Sequence, residues 1–272
     1  MKLLILGAAG MLGQALVKEF AAEDIIVGDL PDFDLTKPKD LQKQIFAMAP
    51  EVIINAAAFT DVDGCETAKK VCFLVNGQAV GDLAKIAKNI GATLVHFSTD
   101  YVFNGQEPNG YKETDQPQPL NVYGQSKAEG ENLLQQNADK FYLIRTAWLF
   151  GHGGKNFIDT IINLSNEKKE LPVVNDQFGN PTYTKDLAAA IKNIILDKKP
   201  FGIYHQTNQG SCSWYELALK IKEINGLEIN FISTSSATLP HSAVRPKYSI
   251  LINNKLPALR PWEEALADYL SK

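Results

Sequence analysis

Short runs that are apolar at nearly every position alternate, through the first half of the chain, with longer stretches whose apolar residues recur every three or four positions. Lys2–Leu6, Ile25–Gly28, Val52–Asn55, Thr93–Ser98 and Phe141–Arg145 form the first set and read as strands. They are apolar toward both faces, so each needs cover on two sides. The stretches between them, beginning with Met11–Ala22, read as helices. This alternation predicts βαβ crossovers and a parallel sheet with helices on both faces, the doubly wound α/β architecture. After about Gly151 the rhythm loosens, and Pro172, Gly179, Pro181, Pro240, Pro246 and Pro257 punctuate shorter elements. The expected organisation is a doubly wound domain over 1–151 and a smaller, mostly C-terminal lobe over 152–272 that returns some segments to the first. The segment Asn104–Leu120, rich in Pro, Gly and acidic side chains, reads as a surface excursion bordering a cleft.

Composition narrows the function classes. With 272 residues, 45% of them hydrophobic, the chain is long enough to bury a large core. A net charge of −4 and the absence of basic blocks speak against nucleic acid and anionic membrane surfaces as partners. Cys65, Cys72 and Cys212 have neither CxxC nor Cys/His ligand spacing, so no disulfide framework or zinc site is signalled, and a reducing compartment fits. No apolar run of about 20 residues is available for a membrane span, and Leu3–Leu6 gives way to glycines too soon for a signal-peptide core. The expectation is a cytoplasmic protein.

The chemistry lies at the ends of the predicted strands. Gly7-Ala-Ala-Gly10-Met-Leu-Gly13 follows the first strand and opens a helix. Glycines there permit a tight turn, close approach of backbone to a pyrophosphate and close helix–strand packing, while the helix start offers free N–H groups to phosphate. Asp29 ends the second strand, where a carboxylate suits the adenine-side ribose and hints at NADH. Small residues follow the third strand at Ala56, Ala57 and Ala58, on the edge where an open α/β sheet receives its ligand. The fourth strand runs into Ser98-Thr99-Asp100-Tyr101, and Tyr123-Gly-Gln-Ser-Lys127 follows. Tyrosine and lysine four apart share a helix face, so the ammonium can approach the phenol and lower its pKa, and Thr99 can supply a hydroxyl to the same place. His96 falls, by alternation along the strand, among packed residues.

The order of these motifs resembles the extended short-chain dehydrogenases, and the fuller text resembles their dTDP-4-dehydrorhamnose reductase family. The matching stretches are Asn55-Ala-Ala-Ala-Phe-Thr-Asp-Val-Asp63, Ser98-Thr-Asp-Tyr-Val-Phe103, Pro119-Leu-Asn-Val-Tyr-Gly-Gln-Ser-Lys127, Arg145-Thr-Ala-Trp-Leu-Phe-Gly151, Val174-Asn-Asp-Gln-Phe-Gly-Asn-Pro-Thr182, Arg245-Pro-Lys-Tyr-Ser249 and Leu259-Arg-Pro-Trp262. The resemblance implies a Rossmann-type NAD(P)-binding domain followed by a substrate-binding lobe. It implies reduction of the C4 ketone of a dTDP-linked 4-dehydro-6-deoxy sugar by NADH or NADPH, with Thr99, Tyr123 and Lys127 as the catalytic trio. The cofactor-binding set it implies is Gly7, Gly10, Met11, Leu12, Gly13, Asp29, Asp34, Leu35, Ala56, Ala57, Ala58 and Asn76, with Tyr123 and Lys127. The substrate-binding set is Thr99, Asp100, Tyr123, Trp148, Asn156, Gln177 and Arg245. Trp148 offers an aromatic wall to an apolar sugar face, and Arg245 suits diphosphate oxygens.

Two departures stand out. Ala147 stands where relatives often carry a small hydroxyl residue, and His152-Gly-Gly-Lys155 forms the approach to the substrate side. Gln14 in the first helix leaves no acidic cluster for the cation some relatives bind, so no metal is expected. A monomer or homodimer is expected. Alternative readings on the same scaffold are another nucleotide-sugar reductase or epimerase, and a non-catalytic subunit similar to the regulatory partner of methionine adenosyltransferase. Intact Thr99, Tyr123 and Lys127 weigh against the latter.

Overall fold

The structure is a computed structural model that describes residues 1–239 and 241–271; Pro240, one of the punctuating prolines, lies outside them. The first half runs β1 (Lys2–Leu6), α1 (Met11–Glu19), β2 (Asp24–Gly28), α2 (Pro38–Met48), β3 (Val52–Asn55), α3 (Val62–Thr67), α4 (Lys69–Phe73), a π turn over Leu74–Gln78, α5 (Ala79–Ile90), β4 (Thr93–Thr99), a 3-10 turn over Asp100–Val102, α6 (Val122–Asn137) and β5 (Phe141–Thr146). The second half adds β6 (Leu149–Phe150), α7 (Phe157–Glu167), β7 (Glu170–Val174), β8 (Phe178–Gly179), β9 (Thr182–Tyr183), α8 (Thr184–Leu196) and β10 (Gly202–His205). It ends with β11 (Cys212–Ser213), α9 (Trp214–Asn225), β12 (Asn230–Thr234), a 3-10 turn over Ser236–Thr238 and α10 (Trp262–Leu270).

Six strands make one parallel sheet in the order β10-β5-β4-β3-β1-β2. Alternation along β1 builds its two layers. Leu3 and Ile5 face a core shared with Leu12 and Leu16 of α1 and Leu187, Ile191 and Ile194 of α8. Leu4 and Leu6 face the opposite core, with Leu41 and Ile45 of α2, Leu83 and Ala87 of α5 and Leu134 of α6. Each such aliphatic side chain contributes about 1.5–3 kcal/mol on full burial. A register slip of one residue would swap the two sets between faces. The chain moves outward from β1 to β2 and returns to β3 on the far side of β1, so a crevice opens at the carboxyl ends of β1 and β3.

The five expected strands are all present, with β2, β4 and β5 each one residue longer. The first helix stops at Glu19 rather than Ala22: Phe20 leaves helical geometry at φ −94°, ψ 14° as its C-cap, with its ring fully buried. The sixth strand, β10, has only four residues, flanked by Pro200 and Phe201, and is too short to show a period in the sequence. A third core gathers Ile158 and Ile161 of α7, Leu171 and Val173 of β7, Leu217 and Ile221 of α9, Phe231 of β12 and Leu266 of α10. The 104–120 segment is more than a surface excursion. Tyr111 stacks on Phe103 at 4.2 Å, its N–H donates to the Ile250 carbonyl at 2.8 Å, and Glu113 is buried and accepts from the Asn254 N–H at 3.0 Å. Its polar composition hides these anchors.

The seat of α6 decides where Tyr123 and Lys127 stand. Asn121 caps the start of the helix, accepting from the Gly124 N–H at 2.8 Å. A Cβ at Gly124 would lie 2.1 Å from the Tyr101 carbonyl oxygen, so only glycine lets the helix approach the end of β4 this closely. Arg145 of β5 then grips Glu131 of α6 through two bonds, Nε to Oε1 at 2.9 Å and Nη2 to Oε2 at 2.7 Å, with both side chains about 98% buried or more. Removing one partner strands the other charge in the interior. Arg145→Met is expected to destabilise the fold by about 3–5 kcal/mol, and Arg145→Met with Glu131→Met to recover most of that loss. Urea unfolding of the two variants checks this; equal losses in both would contradict it.

Candidate active site

The glycine turn is shaped by contact as well as by conformation. Gly7 sits at φ +75°, its N–H donates to the Gly28 carbonyl at 2.9 Å, and a Cβ there would lie 2.5 Å from the Ala57 nitrogen. A Cβ at Gly13 would lie 2.0 Å from the Gly7 carbonyl oxygen, so α1 packs directly on the turn. Gly10 caps α1 without a side chain, and Ala9 and Gly10 are exposed. The first N–H groups of α1 therefore face an open cradle. Asp29 braces it, accepting from the Ala9 N–H at 2.7 Å and from the Leu30 N–H at 2.8 Å. A groove of about 570 Å³ runs beside the turn, lined by Ala8, Ala9, Val17, Val27, Asp29 and Leu30. Opposite, Asn76 in the π turn holds both backbone groups of Phe59 at 2.9 Å, fixing the Ala56–Phe59 strip that borders the crevice. Gln14 ties the turn to the segment after β6, donating to the Ala9 carbonyl at 2.7 Å and the Gly153 carbonyl at 3.2 Å.

Beside this cradle stand Thr99, at the end of β4, and Tyr123 and Lys127, on the first two turns of α6. The Thr99 hydroxyl donates to Asp100 Oδ1 at 2.9 Å, and burial holds the neighbouring Tyr123 phenol above its ordinary value. Lys127 does not offset this burial. Its ammonium donates to the Phe97 carbonyl at 2.6 Å, and burial pushes it down to about 8, opposed by the charge of Glu131. Asp100 is pushed up to about 6 by burial. His96 is packed, as alternation implied, but it also touches Lys127. Its Nε2 lies 3.4 Å from the lysine Nζ, and its Nδ1 lies 3.2 Å from the Asn55 amide. The β3–β4 register sets Asn55 opposite His96, and burial with the lysine charge keeps the imidazole neutral.

Known proteins are similar to this chain in sequence and fold. The protein-family model described as the RmlD substrate binding domain matches residues 1–272. The chain belongs to the RmlD substrate binding domain family. It is 40% identical to the spore coat polysaccharide biosynthesis protein SpsK of Bacillus subtilis, over 100% of this chain and 97% of that one. A dTDP-4-dehydrorhamnose reductase of Clostridium acetobutylicum has a similar structure, with TM-score 0.97, 39% identity, and 99% and 98% of the two chains covered. That of Bacillus anthracis, solved in complex with NADP, gives TM-score 0.96 at 37% identity, with 98% of each chain covered.

The remaining positions matched to this family divide by their surroundings. Trp148, strained at φ +46°, stacks on Trp214 with ring centres 3.4 Å apart and packs against Gly179. Trp214, which opens α9, is the aromatic partner that sequence reasoning missed. Arg245 forms a bidentate pair with Asp63, 2.7 and 3.3 Å, and reaches the Tyr101 phenol, whose ring meets Tyr123 edge-on at 6.0 Å. Its guanidinium holds the Asp63 carboxyl down at about 2. Asn156 caps α7 and bonds Tyr269 at 3.2 Å, and Gln177 is buried just before β8. Asp34 accepts from Thr36, Leu35 and Leu12 lie in the two cores, and Met11 opens α1. Among the described residues no group of three or more His, Cys, Asp or Glu is placed to hold a metal, and no helix is long and apolar enough to cross a membrane.

The buried lysine gives a direct check. Burial lowers an ammonium pKa, so Lys127 is a cation below about 8 and neutral above it. Nitrogen-detected NMR of labelled lysines is expected to show one amine titrating near 8 that is missing from Lys127→Met; a midpoint at the ordinary lysine value would contradict the described burial.

Proposed function

We propose that the chain reduces the C4 ketone of dTDP-4-dehydro-6-deoxy-L-mannose to dTDP-L-rhamnose with hydride from NADH or NADPH, the last step of dTDP-L-rhamnose synthesis. The observation that carries this reading is the convergence of Thr99, Tyr123 and Lys127 on one rim of the sheet, beside the glycine cradle, in a chain similar over its whole length to proteins named dTDP-4-dehydrorhamnose reductase. The cradle fits a dinucleotide. Backbone at Gly7, Gly10, Met11, Leu12 and Gly13 would hold its diphosphate, Asp29 its adenine-side ribose and Lys127 its nicotinamide ribose, with Ala56–Ala58 giving room. When bound, the cofactor supplies the hydride.

The chain's own residues supply the rest. As the ketone oxygen gains negative charge, Tyr123 gives it a proton and Thr99 a hydrogen bond, so both act mainly in the transition state. Burial keeps the phenol protonated until an alkoxide, a much stronger base, forms beside it. Lys127, a cation below about 8, would serve the nicotinamide ribose rather than the phenol. The stacked Trp148 and Trp214 give the smaller lobe an apolar wall for the sugar, and Arg245 a cation for the diphosphate. Every residue in this scheme comes from one chain, so a monomer or a homodimer satisfies it. The cytoplasm, where reduced nicotinamide and nucleotide sugars meet, is its place of action.

Nicotinamide absorbance with enzymatically prepared dTDP-4-dehydro-6-deoxy-L-mannose tests the reading with either cofactor. Native enzyme is expected to oxidise NADH or NADPH only when the sugar is present. Tyr123→Phe is expected to lose about 10²–10⁴ in kcat while binding the dinucleotide normally. No oxidation by native enzyme that binds dinucleotide would overturn the substrate, and near-native turnover of the variant would overturn the proton donor.

A further inference from the structure

Residues 241–249 run between the start of α6 and the end of β8. At the β8 end the Phe178 N–H donates to the Lys247 carbonyl and the Ser249 N–H to the Phe178 carbonyl, each at 2.8 Å. At the α6 end two side chains from the first half of the chain hold the backbone. The Asn121 amide donates to the Val244 carbonyl at 2.8 Å, and Asp63, in the first turn of α3, accepts from the Ala243 N–H at 2.9 Å.

Asp63 has no part in the proposed reaction, yet it gathers this segment around one carboxylate. Oδ1 takes the Ala243 N–H and Arg245 Nη1, the latter at 3.3 Å, while Oδ2 takes Arg245 Nη2 at 2.7 Å and lies 3.7 Å from His241 Nδ1. Nη1 also reaches the Ala243 carbonyl at 3.3 Å. Asp63 therefore fixes both the backbone before Arg245 and the tip of its side chain. A guanidinium carries five N–H groups in a rigid fork. Asp63 and Ala243 occupy both on Nη1 and one on Nη2, and the Tyr101 phenol bonds the same guanidinium, so a donor is left for a second anion.

Two effects of the carboxylate oppose each other. Its charge weakens the pull of Arg245 on another anion, whereas its grip removes the rotamer freedom that a loose arginine would lose on binding. The Asp63 side chain is 37% exposed, so water screens the first effect and leaves the second intact. We propose that Asp63 is a positioning residue for the diphosphate of the nucleotide sugar, holding Arg245 and the segment that carries it in the binding pose before the ligand arrives. This rests on the reading of Arg245 as the cation for that diphosphate.

Titration calorimetry with dTDP and, separately, with NADPH tests the proposal in native protein, Asp63→Ala, Arg245→Ala and the double variant. dTDP carries the diphosphate without the sugar, and NADPH carries one that the glycine turn would hold instead. Asp63→Ala is expected to weaken dTDP binding about tenfold, to leave NADPH binding unchanged, and to add nothing once Arg245 is replaced. Unchanged or tighter dTDP binding by Asp63→Ala overturns the proposal, tighter binding making the carboxylate a competitor for Arg245. Loss of both ligands, or a full further loss in the double variant, makes Asp63 a structural residue and overturns it as well. Native dTDP binding by Arg245→Ala removes the underlying reading of Arg245; loss there beside native binding by Asp63→Ala sinks the proposal alone. Should Asp63→Ala not fold, Asp63→Asn, which keeps an oxygen for the Ala243 N–H, is held to the same outcomes.

Discussion

The buried pair of Arg145 and Glu131 holds the working face of the molecule in place. Arg145 stands on β5 and Glu131 on α6, one helical turn beyond Lys127, so the pair fixes both the depth and the rotation of the helix that carries Tyr123. The guanidinium does more than neutralise one carboxylate. It lies over the Phe103 ring at 5.0 Å, reaches the Glu113 carbonyl at 3.5 Å and approaches His205 of β10 at 3.4 Å. Five parts of the chain that are distant in sequence thus meet around one charge. Such a pair brings little net stability against a well-packed apolar substitute, but it admits one geometry, and α6 needs one geometry. His205, pushed down to about 3 by burial and then by Arg145, stays neutral and adds no competing charge.

The same dry interior sets the chemistry. Burial disfavours every charged form, so Tyr123 and Asp100 are pushed up while Lys127 and His96 are pushed down. The outcome is a dry cluster in which Tyr123 and His96 are neutral, so a new charge on a substrate oxygen would be weakly screened. Glu131 is the counterweight. Its charge, one turn away, keeps Lys127 from falling further and leaves it a cation below about 8. Structural support and chemical tuning therefore share one residue.

Much of this was legible in the sequence, and for identifiable reasons. Parallel strands covered on both sides carry near-continuous apolar runs, so β1 and β3 announce themselves. Gly7 and Gly13 are readable because their contacts forbid any Cβ, and Tyr123 and Lys127 because a four-residue spacing shares a helix face. What stayed hidden depends on register or on distance along the chain. The link from Asn55 through His96 to Lys127 exists because two strands pair in one register. Asp63 and Arg245 are 182 positions apart, and Trp214 meets Trp148 only when the smaller lobe folds. The lowering of the Tyr123 pKa by Lys127, expected from spacing alone, is not seen, because the ammonium is held by the Phe97 carbonyl and burial dominates the phenol.

The central claim is that one substrate oxygen is served jointly by α6 and the end of β4. A crystal structure of the protein with NADP and dTDP-L-rhamnose tests it most directly. The sugar's C4 oxygen should lie within hydrogen-bond distance, about 2.6–3.2 Å, of both the Tyr123 phenol and the Thr99 hydroxyl, with the diphosphate toward Arg245. A C4 oxygen bonded to neither hydroxyl, or a sugar seated away from the end of β4, would contradict it.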